Sequence, residues 1–145
     1  MIQIVKIEFG TPEYDAAVCL RYEVLRKPLG LSFTPEQLAA EYSDHHLAAF
    51  APNGTVIGYL NLNPVDEETV KMRQVAVAPG RQGQGIGKAL VEASEYLARR
   101  LGFRRMVLHA RETAVPFYLR AGYAVTGDRF EEVTIPHFKM EKELA

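Results

Sequence analysis

The sequence has little cysteine, no excess of charge and no long apolar run, and each shortage excludes a class of protein. Its single cysteine, Cys19, cannot form an internal disulfide, so nothing points to an oxidising compartment. Because apolar residues flank Cys19, we expect it to be a small buried hydrophobe and not a nucleophile. The 17 basic and 18 acidic residues leave a net charge of -1, which argues against a nucleic-acid partner.

Signals for membrane insertion and export are missing as well. No stretch approaches the ~18 consecutive apolar residues of a membrane-spanning helix. The first ten residues lack the basic segment and the long apolar segment of a signal peptide, and they read instead as a strand. We therefore expect a cytoplasmic protein without membrane attachment.

What is present fits one globular domain over residues 1–145. Apolar residues make up 48% and charged residues 24% of the 145-residue chain, which is ordinary for such a domain. The apolar periodicity and the turn residues predict the element order β-α-α-β-β-β-α-β-α-β-β. The fold class is therefore α/β (α+β): a mixed sheet with helices on its faces, in which antiparallel strands precede a strand–helix–strand unit.

The strongest predicted helix covers residues 85–101 and follows a glycine-rich loop. Its predicted buried stripe comprises Ile86, Leu90, Ala93, Leu97 and Leu101. In the loop, the glycines at positions 80, 83, 85 and 87 permit positive φ and close approach of the backbone to a ligand. The first turn of the helix adds unpaired N–H groups at the positive end of its dipole. This strand–loop–helix unit predicts a phosphate-binding site.

Two common phosphate-binding patterns do not fit this loop. A P-loop would need glycine at position 82 and a hydroxyl residue at position 89, but the chain has Gln82 and Ala89. A dinucleotide-binding loop would need a third glycine where Lys88 stands. Binding of ATP or NAD is therefore disfavoured.

A third pattern does fit. Gln82-x-x-Gly85-x-Gly87 matches the Q/R-x-x-G-x-G/A signature of the GNAT acetyltransferases, and with its strand and helix it resembles that superfamily. Residues 114–123, which include Tyr118, resemble the family's A-x-x-F-Y-x-x-x-G-[FY] segment. The resemblance is good over residues 70–140, whereas the first 65 residues match only in element order. Segments 21–26 and 135–137 resemble the ElaA-like subgroup.

The resemblance implies a fold and a co-substrate. The fold would be a mostly antiparallel sheet of about six to seven strands flanked by about four helices. The co-substrate would be acetyl-CoA, and no metal is implied. The family binds the pyrophosphate through loop amides, which here belong to Gln82, Gly83, Gln84, Gly85, Gly87 and Lys88. The backbone of Val75 and Val77 would pair with the pantetheine arm, and Arg81 would assist the phosphates by charge.

The implied reaction is direct attack of a primary amine on the thioester. A lysine-like amine has a pKa near 10.4, so only about 1 in 2,500 molecules is neutral at pH 7 and a base must take its proton. We expect Tyr118 to protonate the departing CoA thiolate. We expect His137 to be the general base, ahead of His109, because the last strand often borders the acceptor pocket in the family. Many members carry a carboxylate base on the strand that here has Gln74, so no such base is expected on this strand. Further candidates are Glu23, Glu41, Asp44 and His46.

Several alternatives stay open. A non-catalytic acyl-CoA-binding module of the same fold is the main one, and Tyr118 argues against it. Adjacent His45 and His46 do not share one face of a strand, so they do not predict a metal site. The acceptor is open among small amines, amino acids, polyamines, antibiotics and protein amines, since the N-terminal helices usually build that pocket. A homodimer is compatible with the resemblance.

Overall fold

A computed structural model describes residues 2–144, which form one seven-stranded sheet with helices packed on both faces. The strands are β1 (Gln3–Ile7), β2 (His45–Phe50), β3 (Val56–Pro64), β4 (Thr69–Val77), β5 (Arg105–Arg111), β6 (Ala124–Glu132) and β7 (Ile135–Glu143). The α-helices are α1 (Pro12–Arg21), α2 (Pro35–Ala39), α3 (Ile86–Arg100) and α4 (Val115–Arg120). A π-helical turn (Tyr22–Arg26) and 3₁₀ turns (Lys27–Leu29, Glu112–Ala114) complete the chain.

The strands lie in the order β1-β2-β3-β4-β5-β7-β6. All neighbours are antiparallel except β4 and β5, which are parallel and are joined by α3. A parallel pair needs such a crossover, because a hairpin turn cannot return the chain to the same end of the sheet. The predicted fold class and element order are confirmed.

Local sequence signals account for the starts of the first two helices. The hydroxyl of Thr11 accepts a hydrogen bond from the Tyr14 amide at 3.2 Å, and Pro12 occupies the first helical position. Thr34 and Gln37 form a reciprocal capping box at the start of α2. These caps satisfy backbone donors that would otherwise be unpaired at a helix N-terminus.

The two faces of the sheet bury different helices. Tyr14, Ala17 and Leu20 of α1 pack against one face, and α3 packs against the other through Ile86 and Leu90. A Cβ added at Gly58 would lie 2.8 Å from Leu90 Cδ1 and 3.0 Å from Ile86 Cγ2. The glycine on β3 therefore lets α3 lie close to the sheet.

The buried stripe of α3 differs from the predicted one. Its buried residues are Ile86, Leu90, Val91, Ser94, Glu95 and Ala98. Ala93 and Leu97 are half-buried, and Leu101 is 42% exposed because it lies past the last turn. Glu95 can be buried because the Tyr123 hydroxyl, at 2.8 Å, and Lys142 Nζ, at 2.9 Å, donate hydrogen bonds to its carboxylate. Apolar periodicity alone does not predict a charged residue in the buried stripe.

The prediction that Cys19 is buried was wrong. The helix α1 turns Ala17, Leu20 and Arg21 toward the sheet, and the thiol of Cys19 lies on the exposed side. Within residues 2–144 no helix is long and apolar enough to cross a membrane. The same residues place no group of three or more His, Cys, Asp or Glu side chains where they would hold a metal ion.

Candidate active site

Strand β4 is interrupted by a bulge at Gln74. Tyr59 of β3 pairs with Ala76 and Asn61 pairs with Arg73, so two residues of β4 face one residue of β3. Gln74 has a φ of 58°, a left-handed conformation that is uncommon for a residue other than glycine. Its side-chain Oε1 is buried and has no hydrogen-bond partner among residues 2–144. Bulges re-aim side chains next to functional sites.

Beyond this bulge β4 separates from β5. The two strands pair only through Thr69–Met72 and Arg105–Leu108, although both continue further. The Ala78 amide donates to the Ile57 carbonyl of β3 at 2.9 Å. Because successive peptide groups of a strand point to opposite edges, the polar groups of Val75 and Val77 point into the gap beside β5. The gap therefore exposes the backbone donor and acceptor of Val75 and the amide of Val77, whose carbonyl lies 3.4 Å from Gln82 Nε2.

The glycine-rich loop follows β4 directly. Gly80, Gly83 and Gly85 all have φ near +82°, which only glycine adopts without strain. None of the amides from Gln82 to Lys88 donates to an acceptor among the described residues. A run of unpaired N–H groups at the N-terminus of α3 is suited to an anion such as a pyrophosphate.

A cavity of about 370 Å³ opens at the end of the gap. It is lined by Tyr118 from α4 and His137 from β7, together with Gln74, Val75, His109 and Glu132. The structure thus brings together the two side chains to which the sequence assigned proton transfer, next to one of the positions predicted to hold the pantetheine arm.

Tyr118 lies in this cavity with only 6% of its surface exposed. Its ring packs edge-on against Phe117 and Tyr123, with centroids 5.0 and 5.8 Å away. Its hydroxyl makes no hydrogen bond to another described residue. Burial raises the pKa of Tyr118, because an ionised phenolate is poorly solvated there. The phenol therefore stays protonated at neutral pH, and its hydrogen is directed at no acceptor within residues 2–144.

His137 is buried, and one of its ring nitrogens already forms a hydrogen bond. Nδ1 lies 2.9 Å from the Ile135 carbonyl, which can only accept, so Nδ1 carries the hydrogen. In the neutral imidazole Nε2 is then an unprotonated acceptor. The nearest carboxylate oxygen, Glu132 Oε2, is 3.8 Å from Nε2, and the ring stacks on Phe130.

His109 is held differently. Its Nδ1 lies 3.0 Å from Glu132 Oε1 and 3.3 Å from Lys71 Nζ. Burial alone would raise the pKa of Glu132, but the hydrogen bond from His109 and the charges of His109, His137 and Lys71 lower it. Glu132 is therefore ionised at neutral pH, and it accepts the hydrogen bond of His109 Nδ1.

The other candidate bases lie outside the cavity. Glu41 accepts two hydrogen bonds from Arg21, at 2.8 and 2.6 Å, and one from the Tyr14 hydroxyl at 2.7 Å. His46 contacts the Tyr59 hydroxyl at 2.6 Å. These residues form a buried polar cluster under α1, so their roles are structural.

Asp44 and Glu23 are likewise engaged away from the cavity. Asp44 is buried and accepts hydrogen bonds from Asn63 at 2.8 Å and Asn61 at 3.3 Å. Glu23 is exposed, 3.4 Å from Lys27. Neither carboxylate lines the cavity that holds Tyr118 and His137.

Four basic residues that line the cavity were missed in the sequence: Arg26, Lys71, Arg73 and Arg111. Lys71 and Arg73 alternate along β4, and that spacing is a signal that both face one side of the sheet. Arg26 and Arg111 come from the π-helical turn and from the end of β5. Only the tertiary structure brings these two beside the others.

The chain is similar to a known family over most of its length. The family model described as an acetyltransferase (GNAT) domain matches residues 21–144. A UPF0039 protein of Schizosaccharomyces pombe is 32% identical over 101 residues, which are 68% of this chain and 67% of that protein. Curated relatives from Bacillus subtilis align over about half of their own length.

Solved structures share the whole fold. A candidate N-acetyltransferase from Lactobacillus plantarum superposes with a TM-score of 0.88 at 25% identity, covering 99% of both chains. A GNAT family acetyltransferase from Elizabethkingia anophelis, with acetyl-CoA bound, has a TM-score of 0.76 at 22% identity over 98% of this chain and 97% of that one.

Escherichia coli ElaA is similar in fold as well, with a TM-score of 0.81 at 18% identity over 99% of this chain and 100% of that one. At this identity the likeness concerns the fold alone. The ElaA-like subgroup, suggested by segments 21–26 and 135–137, therefore stays a prediction.

Proposed function

Because the chain belongs to the GNAT acetyltransferase family and is therefore an acyltransferase, we propose that it transfers an acetyl group from acetyl-CoA to a primary amine by direct attack. One observation carries the proposal. Tyr118 and His137 line a single cavity at the point where β4 and β5 separate, and the glycine-rich loop follows β4. Groups able to give and to take a proton thus adjoin backbone suited to an extended phosphate-bearing ligand.

The cofactor would lie along the loop and the gap. The unpaired amides of Gln82, Gly83, Gln84, Gly85, Gly87 and Lys88 support binding of the pyrophosphate. The outward-facing backbone of Val75 and Val77 supports pairing with the amides of the pantetheine arm. Arg81 adds positive charge beside the phosphates. The structural relative from Elizabethkingia anophelis binds acetyl-CoA, which agrees with this assignment.

Tyr118 would donate a proton as CoA departs. The attack forms a bond from the amine nitrogen to the acetyl carbon and breaks the bond from that carbon to sulfur. The sulfur leaves as a thiolate and takes the phenol proton. Because burial keeps Tyr118 protonated, the donor is in the correct state before the reaction begins.

His137 would accept the proton that the amine loses. Leaving an ordinary lysine-like amine to deprotonate unaided at pH 7 costs about 4.6 kcal/mol of the barrier. Nε2 of His137 is an acceptor because Nδ1 donates to the Ile135 carbonyl. The fixed tautomer orients the imidazole, which is what a general base requires.

A thermal-shift measurement with acetyl-CoA tests the cofactor, with NAD⁺ and ATP·Mg²⁺ as parallel ligands. At ligand concentrations near 100 times Kd, binding adds about 2.7 kcal/mol to the free energy of unfolding. At roughly 2–4 °C per kcal/mol, the Tm should rise by several degrees with acetyl-CoA and not with the other two. A rise with ATP or NAD⁺ alone would show that the loop binds a different cofactor.

A further inference from the structure

The cavity carries a concentration of positive charge that its own carboxylates do not neutralise. The side chains of Arg26, Lys71, Arg73 and Arg111, here called the cavity cations, all line it and are all half-buried. Among residues 2–144 none of the four forms an ion pair with a carboxylate. Of the described residues, Glu132 is the single acidic one in the lining. The lining thus sets four fixed positive charges against one negative charge.

Neutral groups hold two of the cavity cations in place. Arg26 lies over the Phe33 ring, 4.5 Å from its centroid. Arg111 Nη2 donates to the Leu25 carbonyl at 3.1 Å. Such contacts position a cation without reducing its charge, so an excess of positive charge stays directed at the cavity.

This excess of positive charge is electrostatically unfavourable in itself. Burial, then the charges of Arg21 and Arg111, lowers the pKa of Arg26. Burial, then the charge of Arg73, lowers the pKa of Lys71. Glu132 offers little relief, because its oxygens already face His109 and His137. A bound anion would relieve both the desolvation and the repulsion.

We infer that the acceptor is a small anionic amine, in which the cavity cations bind a carboxylate or phosphate group and so direct the amine toward the thioester. The inference rests on the proposed function and names the class of substrate. The loop that would hold the CoA pyrophosphate is a separate element, Gln82–Lys88, and none of its residues lines this cavity. The cavity cations are therefore available to the acceptor.

The same charges also favour the reactive form of the amine. Nearby positive charge lowers the pKa of an ammonium group, and this increases the neutral fraction able to attack. Polyamines and other polycationic amines would meet repulsion at every cavity cation. The anionic group takes no part in the bond changes: the amine proton goes to His137 and the thiolate takes the proton of Tyr118.

The experiment compares kcat/KM for matched amines at saturating acetyl-CoA, with the acetylated product measured by mass spectrometry. One pair is 4-aminobutanoate and 4-aminobutanamide, and the other is 2-aminoethyl phosphate and 2-methoxyethylamine; spermidine represents polycations. We expect the anionic member of at least one pair to exceed its neutral partner by about tenfold or more, and the pair that responds separates carboxylate from phosphate. A neutral amine or spermidine as the best acceptor would overturn the inference and leave the proposed function standing.

Variants connect this preference to the cavity cations. Arg26→Met with Arg73→Met should lower the ratio of kcat/KM for the anionic amine to kcat/KM for the neutral amine about tenfold or more. A smaller loss shared by both amines is expected, because fewer cations then lower the pKa of the ammonium group. Arg26→Lys with Arg73→Lys retains the charge and should retain most of the preference. The matched control is Arg104→Met, which removes an exposed arginine just before the first residue of β5. The cavity lies at the other end of that strand, where Arg111 stands. An unchanged preference in the folded Met variant would contradict the inference.

A binding measurement decides the matter if no amine in the panel is acetylated. With saturating CoA present to occupy the loop, inorganic phosphate and succinate are titrated against wild type and the Met variant. A rise in Tm for wild type that the variant lacks would support the anion site. No difference between the two proteins would overturn it. Failure of acetyl-CoA to bind at all would count against the proposed function instead.

Discussion

At the scale of the residue, single hydroxyl groups distinguish two tyrosines of one segment. Among residues 2–144 no acceptor binds the Tyr118 hydroxyl, which is buried in the cavity, whereas the Tyr123 hydroxyl donates to Glu95 at 2.8 Å. Two tyrosines of the same segment therefore serve different ends. The Tyr118 hydroxyl has a proton available for a ligand, and the Tyr123 hydroxyl ties the connection between α4 and β6 to α3.

Replacement of Tyr118 with Phe should lower kcat by about 10²–10⁴-fold, the range of general acid–base catalysis. The ring and its packing are retained, so the Kd of acetyl-CoA should change little. Tyr123→Phe is the control, since loss of its hydrogen bond should cost about 1 kcal/mol of stability and leave kcat near wild type. Full activity in Tyr118→Phe would remove the phenol from the mechanism.

Replacement of His137 with Gln tests the general base through the pH profile. Protonation of a base depresses the rate on the acid side, so wild type should lose kcat/KM as the pH falls. In His137→Gln the rate should drop and the acid limb that His137 contributes should disappear, which leaves only the pH dependence of the amine itself. His109→Gln serves as the comparison and should keep the limb; the opposite pattern would transfer the role to His109.

At the scale of the element, the site depends on particular backbone conformations, and the amino-acid sequence predicts some of them but not others. The glycine loop and α3 were predictable because glycine at positive φ and a strong helix leave clear signals. The bulge at Gln74 was not predictable, because nothing about glutamine favours a φ of 58°.

The turn between β6 and β7 could not be predicted from the sequence, for a similar reason. Val133 and Thr134 adopt φ of 46° and 66°, although β-branched residues usually avoid that region. The sequence therefore carries no turn signal at positions 133 and 134, although β6 ends at Glu132 and β7 begins at Ile135. Pairing across the hairpin outweighs the local preference of the two turn residues.

Replacement of Gly85 with Ala should strain the loop without a clash. No atom lies within 4 Å of the added Cβ, so the cost of about 1–2 kcal/mol comes from the φ of 83° alone. Acetyl-CoA affinity should fall as well, because the amides shift. Gly54→Ala, at φ 87° in the β2–β3 turn with equally open surroundings, should lose comparable stability and keep the affinity. Calorimetric titration with acetyl-CoA would reveal whether the two variants differ in affinity.

At the scale of the whole molecule, the N-terminal segment is fastened to the sheet by charge. Arg21 of α1 is fully buried and forms a two-bond ion pair with Glu41, which follows α2. The π-helical turn that begins after Arg21 supplies Leu25 and Arg26 to the cavity. The sequence could not show that this turn lines the cavity, because its position depends on the pairing of Arg21 with Glu41, 20 residues further along the chain.

Replacement of Glu41 with Gln should destabilise the protein by about 3–5 kcal/mol, because it leaves a buried arginine without a counter-charge. Glu92→Gln, on the exposed side of α3, is the control and should change stability little. Urea denaturation of both variants measures the difference. A loss no larger than that of Glu92→Gln would mean that the ion pair contributes nothing net.

The pH dependence of wild-type stability follows from the same pair. Although burial opposes ionisation, the hydrogen bonds and charge of Arg21 lower the pKa of Glu41 below its usual value. A lowered pKa in the folded state means that the stabilisation is fully present above the ordinary carboxyl pKa of about 4.3 and is lost as the pH falls through the folded-state pKa. The acid-induced loss of stability should be smaller in Glu41→Gln.

The strand order has a consequence for how the protein is made. In sequence β6 precedes β7, but in space β7 lies between β6 and β5. A β6 segment leaving the ribosome therefore has no place in the sheet until β7 has followed it. The two strands would first join as a local hairpin and then add to β5 together. Glu132 and His137 both lie on that hairpin. The nascent chain would therefore complete the glycine-rich loop before it adds these two residues to the cavity.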